Sequence, residues 1–180
     1  MAPEQAQNST NNNSPVSWEQ NQSQGNYSLP GNYTHLSFSY SPGETVKNLV
    51  SFNGVKRFYC LHVPASYKPT SPTPIVFVFH GSGGTAYGTE RSSGFTPVAE
   101  ENGFIAIYPQ GLGTSRAEMG QPKIITILPS IPTREPSGWN SGSSESYSSM
   151  HNLDDLGFIM EILEKSKSEL NVDERKVYST

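Results

Sequence analysis

Cysteine and charge are both scarce in this sequence. Cys60 is the only cysteine, which excludes an intrachain disulfide and argues against a cysteine-based metal site. Charged residues make up 16% and apolar residues 33% of the chain, so part of it is expected to lie outside a packed core. The net charge of −4 provides no basic surface for nucleic acid. No apolar run reaches the length of a membrane span.

Lysine and arginine are missing from the beginning of the chain, where neither precedes Lys47. Of residues 1–34, 19 are Asn, Gln, Ser or Thr. This composition predicts a disordered polar leader over residues 1–34, followed by a folded region over residues 35–180. The leader also lacks the charged and apolar regions of a secretory signal peptide. Five Asn-x-Ser/Thr sequons are either glycosylation acceptors or products of this composition, namely Asn8, Asn12, Asn21, Asn26 and Asn32.

A buried strand followed by a glycine-rich turn is the most informative pattern in the folded region. Residues 75–79 are apolar on both faces and too few for a typical helix, which predicts a fully buried strand. His80, Gly81, Ser82, Gly83 and Gly84 follow at once. Glycine permits unusual backbone angles and a close approach of a ligand, so the turn is suited to presenting backbone N–H groups to a negative charge.

The remaining elements alternate between strands and helices. Further strands are predicted at residues 36–40, 57–63 and 104–108, and another begins at Lys176. A helix over residues 95–103 has Thr96 as its predicted cap and Gly103 at its end. A second helix has Asn152 as its predicted cap and Asn171 at its end. Cys60 is expected to be a small buried side chain in a strand. This alternation predicts an α/β fold with parallel strands.

Seven segments in this order resemble α/β-hydrolase esterases of the polyhydroxybutyrate depolymerase and feruloyl esterase family. They are Arg57-Phe58-Tyr59 with Val63-Pro64, Phe79-His80-Gly81-Ser82-Gly83-Gly84-Thr85-Ala86, Ala99-Glu100-Glu101-Asn102-Gly103-Phe104, Tyr108-Pro109-Gln110-Gly111, Trp139-Asn140, Asp154-Asp155-Leu156-Gly157-Phe158-Ile159, and Val172-Asp173 with Lys176-Val177-Tyr178. The resemblance covers about residues 50–180. It implies the N-terminal portion of an α/β-hydrolase sheet, mostly parallel, with helices on both faces and incomplete.

The resemblance also implies a function and a site. The full-length form would be a secreted serine carboxylesterase, without a cofactor, that hydrolyses esters of plant cell-wall polysaccharide or polyester. Its Gly-x-Ser-x-Gly nucleophile would come directly after Thr180, and its Asp and His would follow later, so no catalytic triad residue is expected in this chain. The backbone N–H of Ser82 would supply one oxyanion-hole donor, in a turn shaped by His80, Gly81 and Gly83.

Functional and structural roles are weighed for the other candidate residues. The resemblance implies that Trp139 and Asn140 bind substrate near the mouth of the site, and the alternative for Trp139 is a packing residue that holds the long loop. The serines of segments 113–117 and 142–146 do not follow a strand, which argues against a substitute nucleophile. His35 and His62 are expected to be structural, and His151 precedes any possible elbow. A metal site formed by His151 with Asp154 or Asp155 is not favoured. Residues 117–134 receive no assignment.

Two other classes of function stay open alongside the truncated esterase. One is a non-catalytic, hydrolase-derived protein that binds a ligand or partner. The other is a relative from a different α/β-hydrolase branch, such as a peptidase or thioesterase, because the His-Gly turn recurs across branches. The family resemblance favours an extracellular location, and neither a membrane nor a nucleic-acid partner is expected.

Overall fold

The computed structural model describes residues 33–113, 137–142 and 146–180. The strands are β1 (Tyr33–Ser37), β2 (Thr45–Phe52), β3 (Val55–His62), β4 (Thr73–Phe77), β5 (Ile105–Pro109) and β6 (Val172–Ser179). The helices are α1 (Ala86–Ser92), α2 (Phe95–Asn102), α3 (Tyr147–Met150) and α4 (Asp155–Glu169). Because β1 begins at Tyr33, the last two residues assigned to the leader belong to a strand. Residues 1–32 and the unassigned segment 117–134 lie outside the described residues.

The six strands form one sheet in the order β1-β2-β3-β5-β4-β6. Strand β4 pairs in parallel with both β5 and β6, whereas β1 with β2, β2 with β3 and β3 with β5 are antiparallel. The α/β class is therefore confirmed, but the sheet is mixed rather than mostly parallel. The unpredicted strand β2 accounts for two of the three antiparallel pairings. It forms a hairpin with β3 through Asn53 and Gly54, which both have the positive φ that a tight two-residue turn requires.

Of the two central strands, β5 is buried on both faces, as its apolar sequence predicts, whereas β4 alternates between buried and half-buried residues and so departs from the fully buried strand expected. Every residue of β5 is buried. Strand β4 begins at Thr73, two residues earlier than expected, and its pairing continues beyond Phe77. The Val78 N–H donates to the Ile107 carbonyl at 2.8 Å, and the Phe79 N–H donates to the Thr180 carbonyl at 2.9 Å. The backbone thus stays extended up to the glycine-rich turn.

Helices cover both faces of the sheet. Alternate residues of β3 supply the two cores, with Phe58 and Cys60 on one side and Tyr59 and Leu61 on the other. The first core includes Ala86 of α1 and Ala99 of α2, and the second is closed by α4. Since both cores are filled by apolar side chains, the sheet is sandwiched as the α/β class requires.

Cys60 is fully buried, as predicted from the sequence. Burial raises the pKa of its thiol from 9.0 to about 12, and nearby Glu90 adds to this rise. The thiol therefore stays protonated at neutral pH and behaves as a small apolar group.

Several helix ends differ from those expected. Helix α2 ends at Gly103 in the left-handed conformation, as predicted, but its N-cap is Gly94 rather than Thr96. The Thr96 hydroxyl instead lies 2.7 Å from the Tyr108 hydroxyl, in a contact between helix and sheet that sequence spacing does not reveal. Helix α4 is capped by Asp154, whose side chain accepts from the Gly157 N–H at 2.8 Å, and not by Asn152.

The buried stripe of α4 also differs from the leucine pattern in its sequence. Phe158, Ile162 and Ser166 are fully buried, at four-residue intervals, whereas Leu156 is 75% exposed. The helix ends at Leu170 in an extended conformation, so the predicted left-handed end at Asn171 was wrong. The fully buried positions of α4 thus include a polar residue, Ser166, which an apolar stripe does not predict.

A buried ion pair attaches α4 to the sheet. An Arg57 guanidinium nitrogen lies 2.5 Å from an Asp155 carboxylate oxygen, and both side chains are less than 10% exposed. The contact is ionic rather than a well-aligned hydrogen bond, since that oxygen meets no hydrogen-bond geometry among the described residues. The guanidinium also lies 3.9 Å from the centre of the Phe158 ring. Burial lowers the pKa of Arg57, and the Asp155 carboxylate opposes this shift.

None of the helices in the described ranges combines the length and apolar composition that a bilayer crossing requires.

The substitution Arg57→Met is expected to lower the free energy of unfolding by about 3–5 kcal/mol, because it leaves the Asp155 carboxylate buried without its counter-ion. The double variant Arg57→Met/Asp155→Leu should recover most of this loss. The control Lys165→Met removes an exposed ion pair with Glu169 and should cost less than about 1 kcal/mol. Urea unfolding followed by circular dichroism measures all of these variants. A loss in the double variant equal to the sum of the losses in Arg57→Met and in Asp155→Leu alone would show that the pair is not coupled.

Candidate active site

The glycine-rich turn lies at the carboxyl end of β4. The Gly84 N–H donates to the Gly81 carbonyl at 3.0 Å, which closes a four-residue turn. Gly83, the third residue of this turn, has a φ of +74°. That left-handed angle is the one a type II turn requires at its third position, which glycine adopts without strain.

The side chain of His80 is buried beneath this turn. Its Nδ1 lies 2.7 Å from the Gly81 carbonyl oxygen. Its Nε2 accepts from the Gly111 N–H at 2.9 Å. The imidazole therefore joins the turn after β4 to the segment that follows β5.

Gln110 supports the same region and is fully buried. Its side-chain oxygen accepts from the Ala86 N–H at 2.8 Å, at the start of α1. Its side-chain nitrogen donates to the Gly111 carbonyl at 2.8 Å and lies 3.3 Å from Nε2 of His80. The Gln110 backbone carbonyl accepts from Arg57 at 3.1 Å. Gln110 and Gly111 occur in a segment that carries the family resemblance, but the sequence does not reveal this role.

Ser137 holds the far side of the turn. Its carbonyl accepts from the Gly83 N–H at 2.8 Å, and its hydroxyl donates to the Gly84 carbonyl at 2.6 Å. Sequence reasoning did not identify Ser137, because its contact with the turn spans 53 residues of chain.

Trp139 packs directly against the turn. Its indole N–H donates to the His80 carbonyl at 2.9 Å. Its ring centre lies 5.1 Å from that of Phe79 and 5.0 Å from that of His80. The ring is half-buried, so the packing expected for Trp139 is present. Contact between this ring and a substrate stays a prediction.

Asn140 is held by the N-terminal end of α4. Its backbone N–H donates to the second Asp155 carboxylate oxygen at 2.5 Å. Its side-chain nitrogen donates to the Leu153 carbonyl at 2.9 Å and lies 3.4 Å from the side-chain oxygen of Asn152. Its side-chain donors are therefore engaged. A substrate-binding role for Asn140 stays a prediction, and its side-chain oxygen is the atom that could serve it.

One face of the turn presents backbone donors. Among the described residues, neither the Gly81 N–H nor the Ser82 N–H has a hydrogen-bond acceptor, and both residues are exposed. Unpaired N–H groups in a turn can bind an anion. The turn stands next to the end of β6, because the Thr180 N–H donates to the Phe77 carbonyl at 2.9 Å.

The position of the turn in the sheet is that of a ligand site. The chain passes from β4 to β5 on one side and then returns to β6 on the other. Ligands in α/β sheets bind beyond the carboxyl ends of the strands where the strand order reverses in this way. The turn and Thr180 flank that position.

The other histidines lie elsewhere. His35 contacts Glu161 and the Tyr59 hydroxyl, both at 3.2 Å, and burial lowers its pKa. His62 is the last residue of β3 and lies 2.8 Å from Glu100. The His151 ring is tilted against the Tyr147 ring, with 4.2 Å between ring centres. Within the described ranges, no three His, Cys, Asp or Glu side chains are grouped so that they could hold a metal ion.

Comparisons with known proteins bear on the fold. No protein-family model matches the chain, and no curated protein matches its sequence. An S-formylglutathione hydrolase from Agrobacterium tumefaciens is similar in structure, with a TM-score of 0.52, 14% identity and 81% of this chain covered. A ferulic acid esterase matches with a TM-score of 0.48 and 15% identity over 76% of this chain. This chain covers 51% and 47% of those two chains, about half of each.

At this level of identity the likeness shows the fold alone. The chain has an α/β-hydrolase fold in part, with six strands of a mixed sheet and helices on both faces. The fold expected from the sequence resemblance is therefore confirmed, whereas the particular family stays a hypothesis.

Two glycines of the turn differ sharply in the space around them. A Cβ at Gly84 would lie 2.9 Å from the His80 Cβ and 3.0 Å from the Gly81 carbonyl oxygen, whereas a Cβ at Gly81 would meet nothing within 4 Å. We expect Gly84→Ala to lower the free energy of unfolding by about 1–3 kcal/mol, through displacement of the imidazole or the turn. Gly81→Ala should change it by less than about 0.5 kcal/mol. Urea unfolding compares the two, and equal effects would contradict the geometry of the turn.

Proposed function

We propose that this chain forms the N-terminal part of a serine carboxylesterase and contributes one oxyanion-hole donor, the backbone N–H of Ser82. The observation that carries this proposal is the Ser82 N–H at the carboxyl end of β4, beside the end of β6, for which the described residues supply no hydrogen-bond acceptor. The α/β-hydrolase fold supports it, because this fold places nucleophile and oxyanion donors at that edge of the sheet.

The chemistry requires a nucleophile beyond Thr180. In a Gly-x-Ser-x-Gly elbow the serine stands on the sharp turn directly after a strand, and β6 would be that strand. The serine oxygen would attack the ester carbonyl carbon while a histidine takes its proton, and the carbonyl oxygen would become negatively charged. The Ser82 N–H and the N–H after the serine would stabilise that charge. The alcohol leaves with the proton, and water then releases the acid.

The substrate class rests on the sequence resemblance. It favours a carboxylic ester of plant cell-wall polysaccharide or of a polyester such as polyhydroxybutyrate, and an extracellular location. We propose that Trp139 contacts such a substrate, and its half-buried ring, which packs beside His80 next to the turn, supports this role. An aromatic ring at that point suits a phenolic or sugar group.

The first test is the coding sequence past Thr180, together with activity. We expect the next residues to read Gly-x-Ser-x-Gly and the extended protein to hydrolyse p-nitrophenyl acetate. The 180-residue chain alone should give only background hydrolysis, because nucleophile and base are both required to form the acyl-enzyme. A different continuation would contradict the esterase proposal and favour a non-catalytic, hydrolase-derived binding protein.

A second test removes the proposed donor without removing the turn. Ser82 is the second residue of the turn, a position that proline favours in type I and type II turns. Ser82→Pro deletes the N–H and should lower kcat of the extended protein about 10²–10³-fold. Ser82→Ala keeps the N–H and should leave kcat within about threefold of the parent. If both variants retain full kcat, Ser82 is not an oxyanion donor.

A further inference from the structure

The orientation of the Ser82 N–H is set by the peptide unit that it shares with the Gly81 carbonyl. Among the described residues the chain has no cis peptide bonds, so the carbonyl and the N–H of this unit point in opposite directions. The Gly81 carbonyl accepts from the Gly84 N–H and contacts Nδ1 of His80. The first contact closes the turn, and the second holds the carbonyl toward the imidazole. The Ser82 N–H is therefore directed away from it, toward solvent.

Only one form of the His80 ring fits its contacts with Gly81 and Gly111. Nδ1 must carry the proton, because the Gly81 carbonyl can only accept. Nε2 must be unprotonated, because the Gly111 N–H donates to it at 2.9 Å. The ring is therefore neutral, with its proton on Nδ1.

Gln110 reinforces this tautomer. Its side-chain oxygen accepts from the Ala86 N–H, so the other end of its amide is the nitrogen, which can only donate. That nitrogen faces the Gly111 carbonyl and Nε2 of His80. A protonated Nε2 would place two donors against each other in a fully buried position. The orientation of one amide thus opposes both the alternative tautomer and the charged ring.

We infer that Gln110 is a positioning residue that, with the Gly111 N–H, holds His80 in its neutral Nδ1–H tautomer and thereby directs the Ser82 N–H through the Gly81–Ser82 peptide. This inference rests on the proposed function for its catalytic meaning, but its structural content is independent of hydrolysis. Gln110 acts through His80 and the peptide and is not itself placed against a substrate.

The tautomer is tested on the 180-residue chain labelled with ¹⁵N-histidine. Long-range proton–nitrogen spectra separate protonated from unprotonated ring nitrogens, and a His80→Asn sample identifies the His80 signals among the four histidines. At neutral pH we expect a protonated Nδ1 and an unprotonated Nε2. Gln110→Glu replaces the donor with a carboxylate of similar size, so the Nε2 signal should shift toward the frequency of a protonated ring nitrogen.

A control variant distinguishes a specific change in the His80 tautomer from a general loss of structure near α1. Thr85→Ala removes the cap of α1, in which the Thr85 hydroxyl accepts from the Gly88 N–H at 3.0 Å, without touching His80. It should leave both ring nitrogens unchanged. An unprotonated Nε2 in Gln110→Glu, or a protonated Nε2 in the parent, would overturn the inference.

The direction of the peptide is tested by two substitutions of His80. An asparagine amide can take the place of Nδ1, and a glutamine amide that of Nε2. With ¹³C-carbonyl glycine and ¹⁵N-serine, only the peptides Gly81–Ser82 and Gly142–Ser143 give a signal, because no other Gly-Ser pair occurs. We expect His80→Asn to preserve the Gly81–Ser82 signal and His80→Gln to displace it. If the Gly81–Ser82 signal is displaced equally in both variants, His80 acts only through packing.

Hydrolysis by the extended protein supplies the catalytic readout. His80→Gln should lower kcat about 100-fold with KM nearly unchanged, as expected for a misplaced donor, and His80→Asn should retain more activity. If the extended parent protein is inactive, the proposed function fails while the spectra still decide the tautomer. If the parent is active and both variants match it, the inference fails and the proposed function stands.

Discussion

The imidazole of His80 is the contact on which the candidate site depends. His80 is 4% exposed, and its ring contacts both the glycine-rich turn and the segment after β5. The backbone carbonyl of His80 accepts a hydrogen bond from the indole N–H of Trp139. A buried hydrogen bond contributes only about 0.5–1.5 kcal/mol, but a buried donor left unpaired costs about 1–3 kcal/mol. Displacing the ring would leave the Gly111 N–H without its acceptor. The same hydrogen bonds therefore fix both the imidazole and the turn.

The Arg57–Asp155 pair fixes the surroundings of that ring. Arg57 reaches from β3 to the backbone carbonyl of Gln110, and Asp155 reaches from α4 to the backbone of Asn140. The two charges thus connect the segments on either side of the imidazole. Burying them carries a large desolvation cost, which the ion pair and these hydrogen bonds offset. Such a pair does little for net stability but penalises any arrangement in which the two segments separate.

Much of the fold could be predicted from local patterns. Strands β4 and β5 follow from continuous apolar runs, and the end of α2 follows from Gly103. Strand β2 was missed because a fully buried Asn48 interrupts its apolar pattern. Its side chain is satisfied by the backbone of Ser39, at 2.6 Å and 2.9 Å. Helix α1 was missed because only Ala86 among its residues is buried, so it shows no apolar stripe.

The candidate site was predictable only in part. The turn at residues 80–84 stands out because a buried strand ends there in glycines. The residues that hold it do not stand out, because Gln110, Ser137 and Arg57 act through contacts with segments far away in sequence. The choice of Asp154 over Asn152 as the α4 cap has a similar origin. Both are good caps, and Asn152 instead takes a positive φ in the connection before the helix.

The contacts that hold the turn restrict when it can form during folding. The residues that hold the turn lie later in the chain than the groups they contact. The separation is 31 residues for Gly111, 53 residues for Ser137 and 59 residues for Trp139. Contacts of such separation form only after the intervening chain has closed into a loop. During synthesis at about 5–20 residues per second, the turn would emerge roughly 3–12 s before Trp139. The anion-facing geometry is therefore a late product of folding, absent from any shorter intermediate.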